Sequence, residues 1–216
     1  MEAHQMSARE ADVAPAPEPA ARAGGWTPAN PAPLGLAGFA LTTFVLSMIN
    51  ANLVGAGATP VVIPLALAYG GIAQFAAGLW EFRTGNTFGA VAFCSFGAFW
   101  ISFYFLGHTT IAAASAHSAV GLYLWAWGIF TTYMFFASLR TTGAVALVFL
   151  LLAITFILLG IGNSALTGTL KLTNGTIKLG GWVGLATAVA AWYASFAQVI
   201  NSTFGKTVLP LVPLTR

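Results

Sequence analysis

Charged residues are scarce in this chain. They make up 6% of its 216 residues, whereas soluble domains usually carry about 25%. A soluble fold of this length could not cover its surface with so few charges, so the scarcity excludes an ordinary soluble domain. Together with the hydrophobic content of 58% and the mean hydropathy of +0.83, it indicates that the lipid bilayer is the solvent.

Acidic residues are almost absent after the N-terminal region. Beyond residue 22 only Glu81 remains, and the net charge of +3 is too small and scattered to suggest a nucleic-acid partner. The single cysteine, Cys94, excludes an intrachain disulfide. Because no metal-spaced cluster, phosphate-binding glycine loop or nucleophile–base pair stands out, we expect no cofactor, no metal and no enzymatic activity.

The two ends of the chain differ in composition from its body. Residues 1–29 are rich in Ala, Pro and Glu and lack the basic start and apolar stretch of a signal peptide. We therefore predict a disordered cytoplasmic tail over 1–29, a transmembrane transport domain over 30–210 and a short C-terminal tail over 211–216. Because prolines bias the preceding residue away from helix, the first helix should begin near Pro33 or Leu34.

Apolar segments dominate the transport domain. Each is about 20 residues long, which is the length that a helix needs to cross about 30 Å of hydrocarbon. They are Leu34–Val54, Val61–Trp80, Phe88–Leu106, Ala119–Leu139, Ala144–Ile161 and Trp182–Thr203. The separators are rich in turn residues, among them Gly85-Asn86 and Thr173-Asn174-Gly175. The pattern predicts an all-α integral membrane protein with a bundle of six transmembrane helices.

Basic residues predict the orientation of the bundle. With a cytoplasmic N-terminus, the cytoplasmic segments hold Arg9, Arg22, Arg83, Arg140, Lys206 and Arg216, while the external loops hold Lys171 and Lys178. This distribution obeys the positive-inside rule. We therefore expect a multi-pass protein of the plasma (inner) membrane with both termini in the cytoplasm.

Small and mildly polar residues recur along one side of helices 2, 4 and 6. The seam on helix 2 holds Gly71, Gln74, Gly78, Glu81 and Gly85; the seam on helix 6 holds Gly184, Ala188, Ala191, Ser195, Gln198 and Ser202. Such seams allow transmembrane helices to pack closely, or they line a path for a polar solute. Gln74 and Glu81 favour the path, because polar groups at depth in a membrane are costly and tend to be functional.

Aromatic residues form a different seam on helix 3. It holds Phe93, Phe96, Trp100 and Phe103, and it serves either core or lipid contact or an apolar constriction that gates a pore by dewetting. Helix 1 places Phe39, Thr43, Ser47 and Asn50 on one side, and helix 5 places Leu152, Phe156, Leu159 and Asn163 on one side.

Several of these segments resemble a known family. Residues 30–39, NPAPLGLAGF, resemble the N-P-A-P-L-G-L-x-G-F signature of the acetate uptake transporters. Residues 69–74, 85–89 and 204–210 resemble its other conserved blocks, so the resemblance spans Asn30 to Pro210. It implies a homohexamer of six-helix subunits, each with its own pathway, that takes up acetate and similar small carboxylates. Some members are described as proton-linked and others as channel-like.

The resemblance also implies a site. The family's pathway is pinched by bulky apolar side chains from helices 1, 3 and 5, which fall here on Phe39, Phe96 and Leu152. Many members carry tyrosine where this chain has Phe96, and the missing hydroxyl removes one possible donor to a carboxylate.

Carboxylate binding requires donors or positive charge, and no basic residue lies within a span. The candidate substrate-binding residues are Thr42, Thr43, Gln74, Asn86, Thr87, Trp100 and Asn163. Alternatively, the solute crosses as the neutral acid, or the protein is a channel for small neutral solutes such as ammonia, urea or amides. A purely structural or sensory membrane protein is a third interpretation.

Glu81 is the one acidic side chain near a span. We predict that it is a proton-linked or gating group at the cytoplasmic end of helix 2. The alternative is a structural partner for Arg83, Arg140 or Lys206.

Overall fold

Helices account for the architecture of the protein. The computed structural model describes residues 26–164 and 173–214, and within these ranges the only β-type pairing is an isolated bridge between Thr142 and Pro213. The helices are α1 (Ala32–Asn50), α2 (Ala56–Thr84), α3 (Thr87–Leu106), α4 (Ala113–Ser138), α5 (Gly143–Asn163) and α6 (Thr173–Phe204). All six are long and apolar enough to cross a membrane. The predicted all-α, six-helix membrane architecture is confirmed.

The helix ends differ from the predicted segments. The largest difference is in α6, which begins at Thr173 rather than Trp182, so Thr173-Asn174-Gly175 forms its first turn and not a separator. α4 likewise begins at Ala113, and α2 extends past both of its predicted ends. Hydropathy marks only the part of a helix that suits hydrocarbon, whereas a helix satisfies its own backbone hydrogen bonds and continues into the polar interface.

The second span is not a uniform helix. It begins as a 3₁₀ turn (Ala56–Val61), continues as a short α-helix (Val62–Leu67), widens into a π-helical turn (Ala68–Ala73) and ends as an α-helix (Gln74–Thr84). π turns in longer helices are rare and occur often at functional sites.

The helices pack so that α1, α3, α4 and α5 surround a common interior. α6 contacts both α1 and α5 along much of its length, α4 packs on α5, and α2 packs on α3 and α1. The backbones of α3 and α4 approach each other closely at few positions, and aromatic side chains such as Phe99 and Trp127 lie between them. Large apolar side chains such as Leu122, Ile129 and Phe136 face outward, as the hydrocarbon of a bilayer allows.

Close packing explains the small-residue seam of α6. A Cβ atom at Gly184 would overlap the Ser47 hydroxyl of α1, and one at Gly181 would overlap the backbone of Ala51. Ala188 and Ala191 on the same seam are fully buried. Packing against α1 is therefore the role of this part of the seam, because its missing side chains bring α6 against α1. Farther along, Ser195, Gln198 and Ser202 line a separate cavity beside the start of α1, so the solute-path interpretation stays a prediction there.

The chain after α6 folds back as a C-terminal strap, residues 205–214. Asn201 on α6 holds it, because its Oδ1 accepts from the amides of Val208 and Leu209 at 2.7 and 2.9 Å. Farther along, Gly143 donates its amide to the Val212 carbonyl at 2.7 Å. The strap thus satisfies amides of the first turn of α5, which have no partner within the helix.

Some predictions fall outside the described residues. Residues 1–25 of the predicted disordered tail lie there, as do Arg9, Arg22, Lys171 and Arg216. Residues 26–29 are described and have no regular secondary structure.

Candidate functional site

A wide cavity of about 240 Å³ lies between the second halves of α1, α3 and α5 and the first half of α4. Its lining holds Phe39, Thr43, Leu46, Ser47, Ile49, Asn50, Thr59, Phe99, Trp100, Phe103, Leu106, Val120, Tyr123, Leu124, Leu152, Thr155, Phe156, Leu159 and Asn163. The sides of helices 1 and 5 that the sequence analysis identified both face this cavity. The space is ample for a small organic solute together with water.

A narrow chamber of about 20 Å³ lies on the other side of Phe39 and Leu152, with room for about one water molecule. Its lining holds Leu36, Phe39, Gln74, Ala92, Phe93, Phe96, Val148, Phe149 and Leu152. Because Phe39 and Leu152 line both spaces, they separate the wide cavity from the narrow chamber.

The three side chains predicted to form a constriction lie together at this boundary. Phe39, Phe96 and Leu152 are 5%, 3% and 4% exposed. The rings of Phe39 and Phe96 are 5.9 Å apart, and Phe96 also contacts Phe130 and Phe149 at 5.3 and 6.0 Å. We call Phe39, Phe96 and Leu152 the apolar barrier.

Two residues that line the wide cavity carry buried donors. Among the described residues, Thr43 Oγ1 and Trp100 Nε1 have no protein hydrogen-bond partner. Leaving a buried donor unpaired costs about 1–3 kcal/mol, and native structures rarely do so without a reason. On the chamber side, Gln74 Oε1 is also buried without a protein partner in the described part of the chain.

The remaining predicted binding residues are placed differently. Thr42 is fully buried and donates its hydroxyl to the Gly38 carbonyl at 2.9 Å, and it lines neither space. Asn163 lines the wide cavity and donates its amide to the Leu159 carbonyl. Asn86 and Thr87 are exposed at the start of α3, where Asn86 Oδ1 accepts from the Gly89 amide as a helix cap. Neither of them borders the cavity or the chamber.

Glu81 is 1% exposed near the end of α2 and lines neither space. Thr84 Oγ1 donates to its Oε2 at 3.2 Å, and the amide of Asn86 lies beside the carboxylate. A Cβ atom at Gly89 would come within 2.7 Å of Glu81 Cδ, so Gly89 has to be small. The structural-partner alternative requires an ion pair between Glu81 and a basic side chain. Among the described residues Glu81 forms no such ion pair.

The NPAPLGLAGF segment places Phe39 in the barrier. Asn30 accepts from the Ala32 amide at 3.0 Å and donates to Gln198 Oε1 at 2.9 Å, which ties the start of α1 to α6. A Cβ atom at Gly38 would lie 2.5 Å from the Tyr69 carbonyl. The segment therefore acts through packing, by holding α1 close to its neighbours.

Several lining residues were not predicted as site residues. Phe99, Thr155 and Tyr123 line the wide cavity but belong to none of the seams identified from the sequence. Tyr123 Oη lies 2.7 Å from Ser102 Oγ and donates to the Phe99 carbonyl at 3.0 Å. Because several helices contribute to this wall, its residues follow no single helical period. The complete wall therefore cannot be predicted from any one segment of the sequence.

Comparison with known proteins settles the class of molecule. The chain matches the GPR1/FUN34/yaaH family over residues 14–216. It belongs to this family. It is 39% identical over 186 residues to the "Succinate-acetate/proton symporter SatP" of Escherichia coli K12, with 85% of this chain and 95% of that protein covered.

Fungal family members are also similar. "Acetate permease A" of Emericella nidulans is 44% identical over 195 residues, which cover 85% of this chain and 65% of the permease. "Ammonia transport outward protein 2" of Saccharomyces cerevisiae is 42% identical over 179 residues, which cover 79% of this chain and 61% of that protein. The chain thus spans less than two thirds of the length of either fungal relative.

A solved structure of the family shares the fold. The "bacterial acetate channel SatP" superposes with a TM-score of 0.76 at 39% identity, covering 86% of this chain and 99% of that one. These relatives are transporters and channels. The chain is therefore a multi-pass membrane transport protein and not an enzyme.

Proposed function

We propose that this protein moves acetate and related small carboxylates, succinate included, across the plasma membrane. The solute enters the wide cavity, passes the apolar barrier and leaves through the narrow chamber. The observation that carries the proposal is that two residues lining the cavity, Thr43 and Trp100, have buried donors, Oγ1 and Nε1, without a protein partner among the described residues. The names of the SatP and acetate permease relatives support the same substrate class.

The buried donors and the apolar barrier have different roles in the proposed transport. A carboxylate that leaves water needs hydrogen bonds to its oxygens, and Thr43 and Trp100 can donate one each. The barrier offers none, since Phe39, Phe96 and Leu152 are apolar, so crossing as the neutral acid costs far less than crossing as the anion. A carboxylic acid has a pKa of roughly 4–5, so flux should rise as the external pH falls.

The assembly and the orientation belong to the same proposal. We expect a homohexamer in which each subunit has its own pathway, with both termini in the cytoplasm. The excess of basic residues on the cytoplasmic side supports the orientation. Reporters fused to each terminus test it, and an external signal at either end would refute it.

A channel for small neutral solutes is the second candidate. In the described part of the chain, no Lys, Arg, Asp or Glu lines the cavity or the chamber, which suits a neutral solute such as ammonia, urea or an amide. The name of the yeast ammonia transport relative points the same way.

Uptake of radiolabelled acetate into proteoliposomes separates the candidates. Acetate transport predicts uptake that succinate or propionate inhibits and urea does not. The Thr43→Val variant should weaken uptake. The matched Thr132→Val variant should not, because Thr132 donates to the Gly128 carbonyl and lines neither space. The absence of flux above empty liposomes at every pH would refute the proposal.

Simultaneous recording of pH and flux tests the proton linkage. Saturating uptake with proton movement in a fixed ratio indicates a carrier, whereas uptake without saturation indicates a channel.

A further inference from the structure

The YGGIAQ segment, Tyr69–Gln74, contributes only Gln74 to the walls of the pathway. Most of it forms the π-helical turn Ala68–Ala73 in the middle of α2. The segment contains two adjacent glycines, and both are buried. Glycine is a poor helix former, so a buried glycine pair inside a span calls for a packing reason.

Gly70 lies between side chains of two other helices. A Cβ atom at this position would come within 2.6 Å of Thr42 Oγ1 on α1 and within 2.9 Å of Trp100 Cδ1 on α3. Both distances are shorter than van der Waals contact. The indole of Trp100, which is 2% exposed, can thus occupy its position only because residue 70 has no side chain.

The contact between residue 70 and Trp100 would involve the indole atom next to the N–H group. Cδ1 is bonded to Nε1, so a displacement of the ring at Cδ1 also moves the N–H group. Trp100 packs against Phe99 and Phe103 at ring distances of 4.9 and 5.7 Å. These neighbours limit where the ring can go, and closely packed interiors transmit such a shift instead of absorbing it.

We propose that Gly70 is a positioning residue for carboxylate binding, acting through the Trp100 indole. The π turn brings Gly70 against Trp100, and the missing side chain lets Nε1 occupy the place where it donates to the solute. The carboxylate role of Nε1 rests on the proposed function, whereas the placement of the ring by Gly70 does not. A side chain at residue 70 therefore weakens carboxylate binding without touching the solute.

The first test reads the position of the indole directly. Protein labelled with ¹⁵N at the indole nitrogens and reconstituted in lipid should show signals from its seven tryptophans, and Trp100→Phe identifies the signal of Trp100. Gly70→Ala should shift that signal. Gly107→Ala is the matched control, because its Cβ would meet Ile63 Cδ1 of α2 at the same 2.6 Å but touches neither Thr42 nor Trp100.

The second test reads binding through transport. Gly70→Ala should raise the half-saturating acetate concentration about tenfold, the size expected when a hydrogen bond to a charged acceptor is lost. Gly107→Ala should leave it unchanged. In the Trp100→Phe background, Gly70→Ala should have no further effect, because the N–H that it displaces is already gone.

The outcomes separate the two proposals. An unmoved Trp100 signal in Gly70→Ala, or full additivity with Trp100→Phe, overturns the positioning role. A shifted signal in a protein that transports no acetate supports the positioning role and refutes the proposed function. If Gly70→Ala does not fold, Thr42→Ala combined with it removes the closest contact, with Thr42 Oγ1, and keeps those with Cβ of residue 42 and with Trp100 Cδ1, so the Trp100 signal should still move.

Discussion

Removing the indole N–H at residue 100 is the sharpest test of the proposed site. Trp100→Phe keeps an aromatic ring in contact with Phe99 and Phe103 and deletes Nε1. In the wild-type protein Nε1 has no partner among the described protein groups, so its deletion leaves no protein acceptor unpaired. The variant should therefore fold normally and lose affinity for the carboxylate.

The magnitude follows from the chemistry of the lost contact. A hydrogen bond to a charged group contributes about 1.5–3 kcal/mol, and every 1.4 kcal/mol corresponds to about a factor of ten. The half-saturating acetate concentration should thus rise by about 10- to 150-fold, while the uptake of a neutral solute of similar size changes little. Initial rates of radiolabelled acetate uptake in proteoliposomes measure the difference.

Trp127→Phe is the matched control. Trp127 on α4 belongs to the same aromatic cluster, 5.2 Å from Phe99, and lines neither the cavity nor the chamber. It should leave the acetate concentration dependence unchanged. Equal effects of the two variants, or an unchanged value in Trp100→Phe, would refute the assignment of Nε1 as a donor.

Three further predictions concern the barrier, the buried acid and the strap. Leu152→Ala widens the apolar barrier between the cavity and the chamber and should raise succinate uptake relative to acetate; an unchanged ratio of labelled uptake would contradict the barrier. Glu81→Gln cannot carry a proton and should remove the part of the pH dependence of uptake that exceeds protonation of the solute, whereas an unaltered pH profile would remove the proton-linked role. Asn201→Ala deletes the contacts with the Val208 and Leu209 amides and should cost about 2 kcal/mol of local stability; hydrogen exchange of those amides should accelerate, and unchanged exchange would show that the strap is held elsewhere.

The fold could be read from the sequence because the bilayer restricts the choices. Hydrocarbon admits only spans whose backbone groups are satisfied internally, and a helix needs about 20 apolar residues to cross it. Each predicted segment overlaps an observed helix for this reason. The helix ends were less predictable. The first turns of α6, from Thr173 onward, are polar, so hydropathy does not include them in the span.

The seams were harder to interpret than the spans. Two seam residues show the difficulty. Gly184 is a small residue in the apolar helix α6, and Gln74 is a polar residue in the apolar helix α2. Gly184 packs against Ser47, whereas Gln74 borders the narrow chamber. The two roles have the same signature along the chain, because close approach of helices and access for a solute both remove bulky apolar side chains from a helix face.

By itself, then, the sequence determined that the chain spans a membrane with six helices, and its NPAPLGLAGF segment indicated the family. Only the tertiary structure decided which side chains meet. Thr42 and Thr43 are adjacent in the chain, yet Thr42 lies against Gly70 and Thr43 lines the wide cavity. Successive residues of a helix point in directions about 100° apart, so the partners of each depend on how the neighbouring helices are packed around it.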